Sequence, residues 1–284
     1  MSILKDNIEK IIGKFSPPVE TAKFIPKYRN IFSFYGVKAG LGVSSFIAQT
    51  AYALASDGYR VGILDLNFDM PMVANFFTET PSSASIHRIV KNKYATVTDV
   101  VLEQTKFKNL KIYTASPVDS LTIKEYWDTG FEGIENIIKE FSLMVDVLLI
   151  DLPSDLNYEG LHVGLYSSYK VYSFCEPTPF FIRQLIAVKN QLDNMGDFIY
   201  KHPQAINDII FTNAIDVTLS VAEMQKYGLN LIGVLPFDLM LKTHFSALSI
   251  ADLSNKGNAK TYRLAVETVC NNIKETIGGP SNVS

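Results

Sequence analysis

The sequence predicts an α/β fold, with a mostly parallel, twisted sheet of about seven strands and helices on both faces. Two observations predict this class. Short continuous apolar runs are typical of strands that are buried on both faces, and here they alternate with longer segments of helical periodicity. Such an alternation builds right-handed βαβ units and therefore a three-layer, Rossmann-like structure. The 284 residues, of which 47% are hydrophobic, suffice for one large core.

The first predicted strand runs into a glycine-rich turn and then a helix. Residues 32–45 read FSFYGVKAGLGVSS. The helix opens with Ser44 and Ser45 and continues with the apolar face of Ile47, Ala51 and Leu54. In a phosphate-binding loop, backbone N–H groups of the turn and the helix N-terminus bind phosphates, a Ser or Thr holds magnesium, and a Lys reaches the β/γ-phosphates. The same order of elements also occurs as a plain connection.

One residue of this loop departs from the phosphate-binding pattern. Gly42 and Ser44 stand at the expected positions, but Val43 occupies the position of the lysine. A charge-assisted hydrogen bond contributes roughly 1.5–3 kcal/mol, so its loss lowers affinity ~10- to 100-fold. The rate falls further, because phosphoryl transfer depends on positive charge at the γ-phosphate. We therefore expect a weakened nucleotide site with slow or absent hydrolysis.

Acidic residues end two further apolar runs. The run from Tyr59 to Leu64 is followed by Asp65 and Asn67, and the run 145–150 is followed by Asp151. A carboxylate at the carboxyl end of a buried strand lies beside the phosphate loop in such sheets, where it can hold magnesium or its bound water. The sequence therefore predicts Ser44, Asp65 and Asp151 as metal ligands.

The remaining elements follow from the same periodicities. We place the seven strands near residues 31–36, 60–65, 109–114, 145–150, 170–175, 207–213 and 230–235. Near the end of the chain, a helical apolar stripe is flanked by balanced charges, which predicts a helix docked on its own domain. The stripe consists of Tyr262, Val266, Val269, Ile273 and Ile277. Cys175 ends an apolar strand and is expected to be a small core residue.

These motifs resemble those of the ParA/MinD superfamily of P-loop ATPases. The run from Lys38 to Ser45 resembles its deviant Walker A motif, written KGGxGK[ST][ST], and residues 65–71, DLNFDMP, resemble its DxDxxxP motif. CEPTP at 175–179 and the stretches 209–213 and 233–238 resemble later segments, of which the last two enclose the adenine. The loop departs from the family where Val37 and Ala39 replace glycines, and we expect this to alter its shape.

The resemblance implies ATP and Mg²⁺ as cofactors and a homodimer as the working form. It implies that Lys38 reaches across the interface to phosphates bound by the partner. In the sequence, no acidic residue lies within several positions of Lys38 to hold it. It assigns catalytic roles to Lys38, Asp65 and Asn67, although an Asn cannot take a proton from water. The implied nucleotide contacts are Lys38, Ala39, Gly40, Leu41, Gly42, Val43, Ser44, Ser45, Asn213 and Pro236.

Within the superfamily, a loop without the lysine that Val43 replaces but with the early lysine, here Lys38, is similar to the loops of the TadZ/CpaE group. That group places pilus and secretion machinery in the cell. We therefore expect an ATP-binding, dimerising localisation or assembly factor that works with protein partners in an assembly machine. The alternatives are a pseudo-ATPase that acts as a structural interaction module without nucleotide, and a plasmid or chromosome partition ATPase. The net charge of −3 argues against a partner such as DNA, whose binding needs clustered Lys and Arg.

The sequence also predicts how the chain is divided and where in the cell the protein lies. Residues 1–30 form an N-terminal amphipathic extension, with apolar residues at helical spacing up to Pro17, and residues 31–284 form the nucleotide-binding domain. No apolar run is long enough to span a bilayer and no signal peptide is present. We expect a cytoplasmic protein that is recruited to a pole or to a membrane-bound machine through a partner.

Overall fold

The structure is a computed structural model that describes residues 28–68, 70–77, 86, 89, 102–103, 108–114, 130–156, 159–195, 207–214, 221–237 and 257–280. Its strands are β1 (Ile31–Gly36), β2 (Val61–Asp65), β3 (Leu102–Glu103), β4 (Leu110–Tyr113), β5 (Val147–Leu152), β6 (Lys170–Cys175), β7 (Asp208–Ala214) and β8 (Asn230–Pro236). The helices are α1 (Val43–Ser56), α2 (Gly130–Leu143), α3 (Glu159–Ser167), α4 (Pro179–Met195), α5 (Val221–Lys226) and α6 (Gly257–Ile277). A 3₁₀ helix, Val73–Phe76, follows β2.

The strands form one sheet in the order β3-β4-β2-β5-β1-β6-β7-β8. All neighbours from β4 to β8 run parallel, whereas β3 is antiparallel to β4 at the edge. The predicted parallel α/β sheet is confirmed, and the boundaries of its seven strands shift by only a residue or two. The edge strand β3 was not predicted, because two residues are too few to carry a periodic signal.

Helices cover both faces of the sheet, as neighbouring residues of β1 demonstrate. The Ser33 hydroxyl hydrogen-bonds to the hydroxyl of Ser168, which directly follows α3. The Phe34 ring packs against Phe46 of α1, with 6.2 Å between ring centroids. Because successive side chains of a strand point to opposite faces, α3 and α1 lie on opposite sides of the sheet.

The core lies around β1 and β5, whose residues are all buried. Parallel strands that are covered on both faces read as continuous apolar runs for this reason. Helix α6 packs on β8 and on α1, and its Tyr262 ring contacts Phe46. The prediction of a C-terminal helix docked on its own domain is confirmed, and both Cys175 and Cys270 are buried.

The described residues bear only in part on the predictions about the N-terminal extension and about membrane-spanning segments. The N-terminal amphipathic extension lies outside the described residues except for 28–30. None of the helices in the described ranges is long and apolar enough to cross a membrane.

Candidate functional site

The predicted phosphate-binding loop, called the phosphate loop below, connects the carboxyl end of β1 to α1, and its shape depends on two glycines. Gly40 has φ of 82° and Gly42 has φ of 78°, a left-handed region that costs a side-chain-bearing residue roughly 1–2 kcal/mol. Neither Val37 nor Ala39 has positive φ. At the two positions where the family pattern has glycine, this loop therefore has no left-handed residue.

Val37 instead anchors the loop to neighbouring elements. It is buried, its backbone N–H donates to the carbonyl oxygen of Phe174 over 3.2 Å, and its own carbonyl oxygen accepts from Gln184 Nε2 over 3.2 Å. The start of the loop is thus fixed to β6 and α4, while Ala39 and Gly40 are exposed.

Val43, in place of the lysine, turns its side chain toward the end of β1. A Cβ added to Gly36 would lie 3.0 Å from Val43 Cγ2 and 3.0 Å from the Lys38 carbonyl oxygen. Gly36 is therefore required by close packing. Val43 is half-buried and packs against the hydrophobic core. Because its side chain is uncharged, it brings no positive charge to the loop.

The N-terminus of α1 is open to an anion. Its N-cap is Gly42, no side chain caps the helix, and its first turn contains no acidic residue. The first N–H groups of a helix have no intrahelical acceptor, and together with the helix dipole they favour a bound phosphate. Ser45 does not compete for them, since its hydroxyl donates to the Gly42 carbonyl oxygen over 2.7 Å.

Ser44 and Asp151 meet at this end of the sheet. Ser44 Oγ donates to Asp151 Oδ2 over 2.5 Å. Asp151 is the register partner of Asp65 on the neighbouring strand, and both carboxyl groups are buried. The structure therefore brings together all three side chains that the sequence predicts as metal ligands.

The two carboxyl groups have different surroundings. Asp65 accepts backbone N–H bonds from Asn67, Met72 and Val73 over 3.0, 2.9 and 3.1 Å. Burial raises the pKa of Asp65 to about 6, against the opposing effect of these bonds. Asp65 thus holds the turn that carries Asn67 and the 3₁₀ helix, and Asn67 lies half-buried at the same edge.

Asp151 has no such set of backbone donors. Burial and the charge of Asp65 raise its pKa well above the ordinary value, and the Ser44 hydroxyl only partly offsets this. A divalent cation would relieve the repulsion between the two carboxylates. A hydroxyl and a carboxylate are oxygen ligands of the kind that Mg²⁺ takes, with substrate phosphates and water completing its coordination. The residues present therefore fit a magnesium–nucleotide complex.

An all-protein metal cage would be a competing kind of metal site. Across the described ranges, no group of three or more His, Cys, Asp or Glu side chains could hold a metal ion.

Lys38 lies in a second cluster, between the ends of β1, β6 and β7. Its Nζ is 2.9 Å from Glu176 Oε1 and 4.1 Å from the centroid of the Phe181 ring. Asn213 Nδ2 donates to the same Glu176 oxygen over 3.2 Å. No acidic residue lies within several positions of Lys38 in the sequence. The ion pair with Glu176 forms because Glu176 follows β6, the strand next to β1.

One of the predicted adenine contacts, Asn213, belongs to this cluster, and the other, Pro236, lies on the neighbouring strand. Burial by itself raises the pKa of Glu176, but hydrogen bonds from Lys38 and Asn213 and the charge of Lys38 outweigh it and leave the pKa below its ordinary value. Asn213 has φ of 51°, a left-handed conformation that Asn adopts more readily than most residues. Pro236 pairs with Ala214 across β7 and β8, so the two predicted contacts end neighbouring strands.

Sequence reasoning missed the roles of Glu176 and Phe181, although a signal existed. Glu176 directly follows β6, and Phe181 lies in the first turn of α4. Since β6 is the parallel neighbour of β1, residues that follow the two strands meet at one edge. Knowledge of the strand order would have placed Glu176 beside Lys38.

Comparisons with known proteins agree with this fold. No protein-family model matches the chain. The chain is 23% identical over 261 residues to the cytosolic Fe-S cluster assembly factor CFD1 of Debaryomyces hansenii, covering 78% of this chain and 82% of that protein.

Two solved structures share the architecture. The septum site-determining protein MinD of Pyrococcus horikoshii OT3, complexed with Mg-ADP, has a TM-score of 0.67 and 17% identity over 84% of this chain and 95% of that one. A putative plasmid partition protein of Borrelia burgdorferi B31, bound to AMPPNP, has a TM-score of 0.61 and 17% identity over 87% of this chain and all of that one. The chain therefore has the α/β fold of MinD- and ParA-type P-loop ATPases.

Proposed function

We propose that this chain, which shares its fold with MinD- and ParA-type ATPases, binds ATP and Mg²⁺ as a dimerising switch and acts as a localisation or assembly factor. The observation that carries the proposal is the contact between Ser44 Oγ and Asp151 Oδ2. It places a hydroxyl and a buried carboxylate beside an uncapped helix N-terminus, which is where a magnesium–phosphate complex needs its ligands.

The loop supplies the phosphate contacts. Gly40 and Gly42 turn the backbone through left-handed conformations, so that the N–H groups at the start of α1 can approach an anion without a side chain in the way. Ser44 and Asp151 would hold Mg²⁺, directly or through its water, and Asp65 keeps the neighbouring turn in place. The metal, when bound, neutralises phosphate charge.

Hydrolysis is expected to be slow or absent. Val43 brings no positive charge to the γ-phosphate, where a comparable cation is worth ~10³–10⁵ in rate. Asn67 can position a water by a hydrogen bond but cannot accept its proton. Lys38, the remaining cation of the loop, is held by Glu176 within its own chain. Binding and assembly are therefore the functions that the site supports best.

Dimerisation would complete the site. In the family that the loop resembles, the lysine at the position of Lys38 reaches the partner's phosphates, which would replace the charge missing at Val43. We place the chain nearest the TadZ/CpaE-like factors of pilus or secretion machinery because their loops often lack the lysine that Val43 replaces here. A cytoplasmic location, with recruitment to a pole or a membrane-bound machine by a protein partner, belongs to this proposal.

The principal alternative is a structural module that no longer binds nucleotide. The packing of Val43 against the core and the ion pair of Lys38 favour it, since both leave the loop without a free cation. A partition ATPase is a second alternative, because a similar structure is that of a putative plasmid partition protein. The net charge of −3 weighs against a DNA-bound function of that kind.

Assembly of iron–sulfur clusters, the role named for the CFD1 relative, has little support in this chain. Clusters are held by Cys thiolates, and the whole sequence contains two cysteines. Both are buried, and burial raises the pKa of each thiol to about 12. Neither is suited to ligate a cluster at the surface.

Light scattering tests the switch. The molar mass of wild type and of Lys38→Ala should be measured with and without Mg-ATP. We expect a dimer for wild type with Mg-ATP and monomers in the other three samples. Equal masses in all four samples would contradict the proposal.

A further inference from the structure

A basic cavity lies at the edge of the sheet opposite the phosphate loop. Its volume is about 320 Å³, and it is lined by Arg60, Lys108, Asn109, Lys111, Met144 and Val145. These residues surround the amino ends of β2, β4 and β5, whereas the loop follows the carboxyl end of β1. The cavity is thus separate from the nucleotide site.

The cations of the cavity are not equivalent. Arg60 donates to Asp146 Oδ1 from Nη2 over 2.7 Å and from Nε over 3.1 Å, and its backbone N–H donates to Asp146 Oδ2 over 2.8 Å. Its guanidinium is therefore committed within the chain. Lys108 is exposed and Lys111 is half-buried, and neither forms an ion pair with another described residue. Neither ammonium group is held as the Arg60 guanidinium is, although Lys111 is the register partner of Glu103 across β3 and β4.

The apolar part of the lining is held in place by hydrogen bonds. Met144 and Val145 follow the end of α2, where Leu143 leaves 72% of its surface exposed. Asn30 Nδ2 donates to the carbonyl oxygens of Ser142 and Val145 over 2.8 and 3.3 Å, which fixes this turn against the start of β1. The exposed Leu143 directly precedes Met144 of the lining, so the cavity and its surroundings offer both apolar and positive groups.

We propose that this cavity, with Leu143 at its rim, binds an acidic peptide segment of a partner protein that carries apolar side chains between its carboxylates. Lysines are flexible point charges that can meet separated carboxylates, and methionine adapts its shape to different apolar side chains. The partner's acidic residues would contact Lys108 and Lys111, and its apolar residues would contact Leu143 and Met144.

Other anions fit this surface less well. A phosphate group is best met by a free guanidinium fork or a nest of backbone N–H groups, and the Arg60 fork is taken by Asp146. A nucleic acid needs an extended array of cations, whereas this chain has a net charge of −3 and two lysines at this cavity. The combination of few cations with an apolar rim favours an acidic, partly apolar peptide.

Fluorescence anisotropy without nucleotide tests this inference apart from the proposed ATP switch. The probe is a short fluorescein-labelled peptide in which Glu and Leu alternate. The variants are Lys108→Gln/Lys111→Gln and Leu143→Ser. The matched control is Lys226→Gln/Lys260→Gln, which removes the same charge from α5 and α6. Unlabelled competitors are the same peptide, its Gln-for-Glu counterpart, inorganic phosphate and short single-stranded DNA.

We expect saturable binding by wild type and by the control variant, and a Kd raised roughly tenfold or more in Lys108→Gln/Lys111→Gln. Leu143→Ser should raise the Kd less, and only the unlabelled Glu–Leu peptide should displace the probe. The inference is overturned by an absence of binding, by an unchanged Kd in either cavity variant, or by an equal loss in the control. Displacement by phosphate or single-stranded DNA at concentrations similar to the unlabelled peptide would also overturn it.

Discussion

Lys38 and Glu176 form an ion pair of 2.9 Å that joins the phosphate loop to the end of the neighbouring strand. The Phe181 ring, 4.1 Å from the ammonium group, and the Asn213 amide, bonded to the carboxylate, complete the cluster. Lys38 therefore has a partner within its own chain. In the proposed dimer it would exchange this partner for phosphate oxygens on the other subunit, so Glu176 opposes dimerisation.

Glu176→Gln should strengthen the ATP-dependent dimer. The substitution removes the charge that holds Lys38, and because the pair is partly exposed it is worth ~0.2–1 kcal/mol. We therefore expect the dimer to tighten by at most about fivefold, with a small loss of monomer stability. Sedimentation equilibrium with Mg-ATP measures the dimer Kd.

A control for this substitution is Asp208→Asn, which breaks the 2.5 Å ion pair with Lys170 at the other end of β6. It should leave the dimer Kd unchanged. A weaker dimer in Glu176→Gln would mean that Glu176 supports the interface, and our account of the cluster would then be wrong.

Asp151→Asn should stabilise the nucleotide-free protein while it weakens Mg-ATP binding. Burial and the charge of Asp65 raise the pKa of Asp151, so the folded state binds more protons than the unfolded state above the ordinary carboxyl pKa. Stability then falls as pH rises through this window. The Asn side chain carries no charge to repel Asp65, and each kcal/mol gained raises Tm by roughly 2–4 °C.

Thermal unfolding between pH 4 and pH 8 measures this effect. The slope of Tm against pH should be negative in wild type above about pH 4, where Asp65, with a pKa of about 6, also contributes. The slope should be smaller in Asp151→Asn. A variant that is less stable than wild type at neutral pH would show that the two carboxylates do not repel each other as described.

Val43→Lys should raise ATP affinity. A lysine at the start of α1 restores the charge-assisted contact with phosphate, which corresponds to a roughly 10- to 100-fold lower Kd. Val43→Met, which adds length without charge, is the matched control and should leave the Kd nearly unchanged. Calorimetric titration with Mg-ATP measures both. Equal Kd values for the two variants would indicate that phosphate does not approach this position.

Substitutions at Gly42 and at Ala39 should differ in their effects, the first on stability and the second on ATP affinity. Gly42→Ala forces a side chain into φ of 78° and should cost ~1–2 kcal/mol of stability. Ala39→Gly restores a family glycine at a position without positive φ, so it should leave ATP affinity within about twofold of wild type. Thermal unfolding and calorimetry test the two changes. A large gain in affinity for Ala39→Gly would make the lost glycine, rather than Val43, the main defect.

Much of the fold could be predicted from the sequence because it depends on local signals. The run FSFYG and the run before Asp151 are strands buried on both faces, and hydrophobic continuity alone marks them. The meeting of Ser44 with Asp151 follows from the rule that ligand-binding residues gather at the carboxyl ends of parallel strands. The contact of Lys38 with Glu176 could not be read from spacing, because it depends on β6 lying next to β1.

The edge of the sheet was harder to predict for a similar reason. Strand β3 consists of Leu102 and Glu103 and exists only through its pairing with β4. The basic cavity likewise combines Lys108 and Lys111 with Arg60 and Val145, from three strand ends that are far apart in sequence. Tertiary placement, rather than local propensity, creates such features.

Isothermal titration calorimetry with ATP, in the presence and absence of Mg²⁺, decides whether the site of Ser44 and Asp151 binds a magnesium–nucleotide complex. We expect saturable heat for wild type with Mg-ATP and much weaker binding without the metal. Asp151→Ala should lose the metal-dependent binding, whereas Asp208→Asn should bind as wild type does. An absence of heat and of any thermal shift for folded wild type at millimolar Mg-ATP would contradict the proposed binding, and the chain would then be a structural module with a phosphate loop that binds no nucleotide.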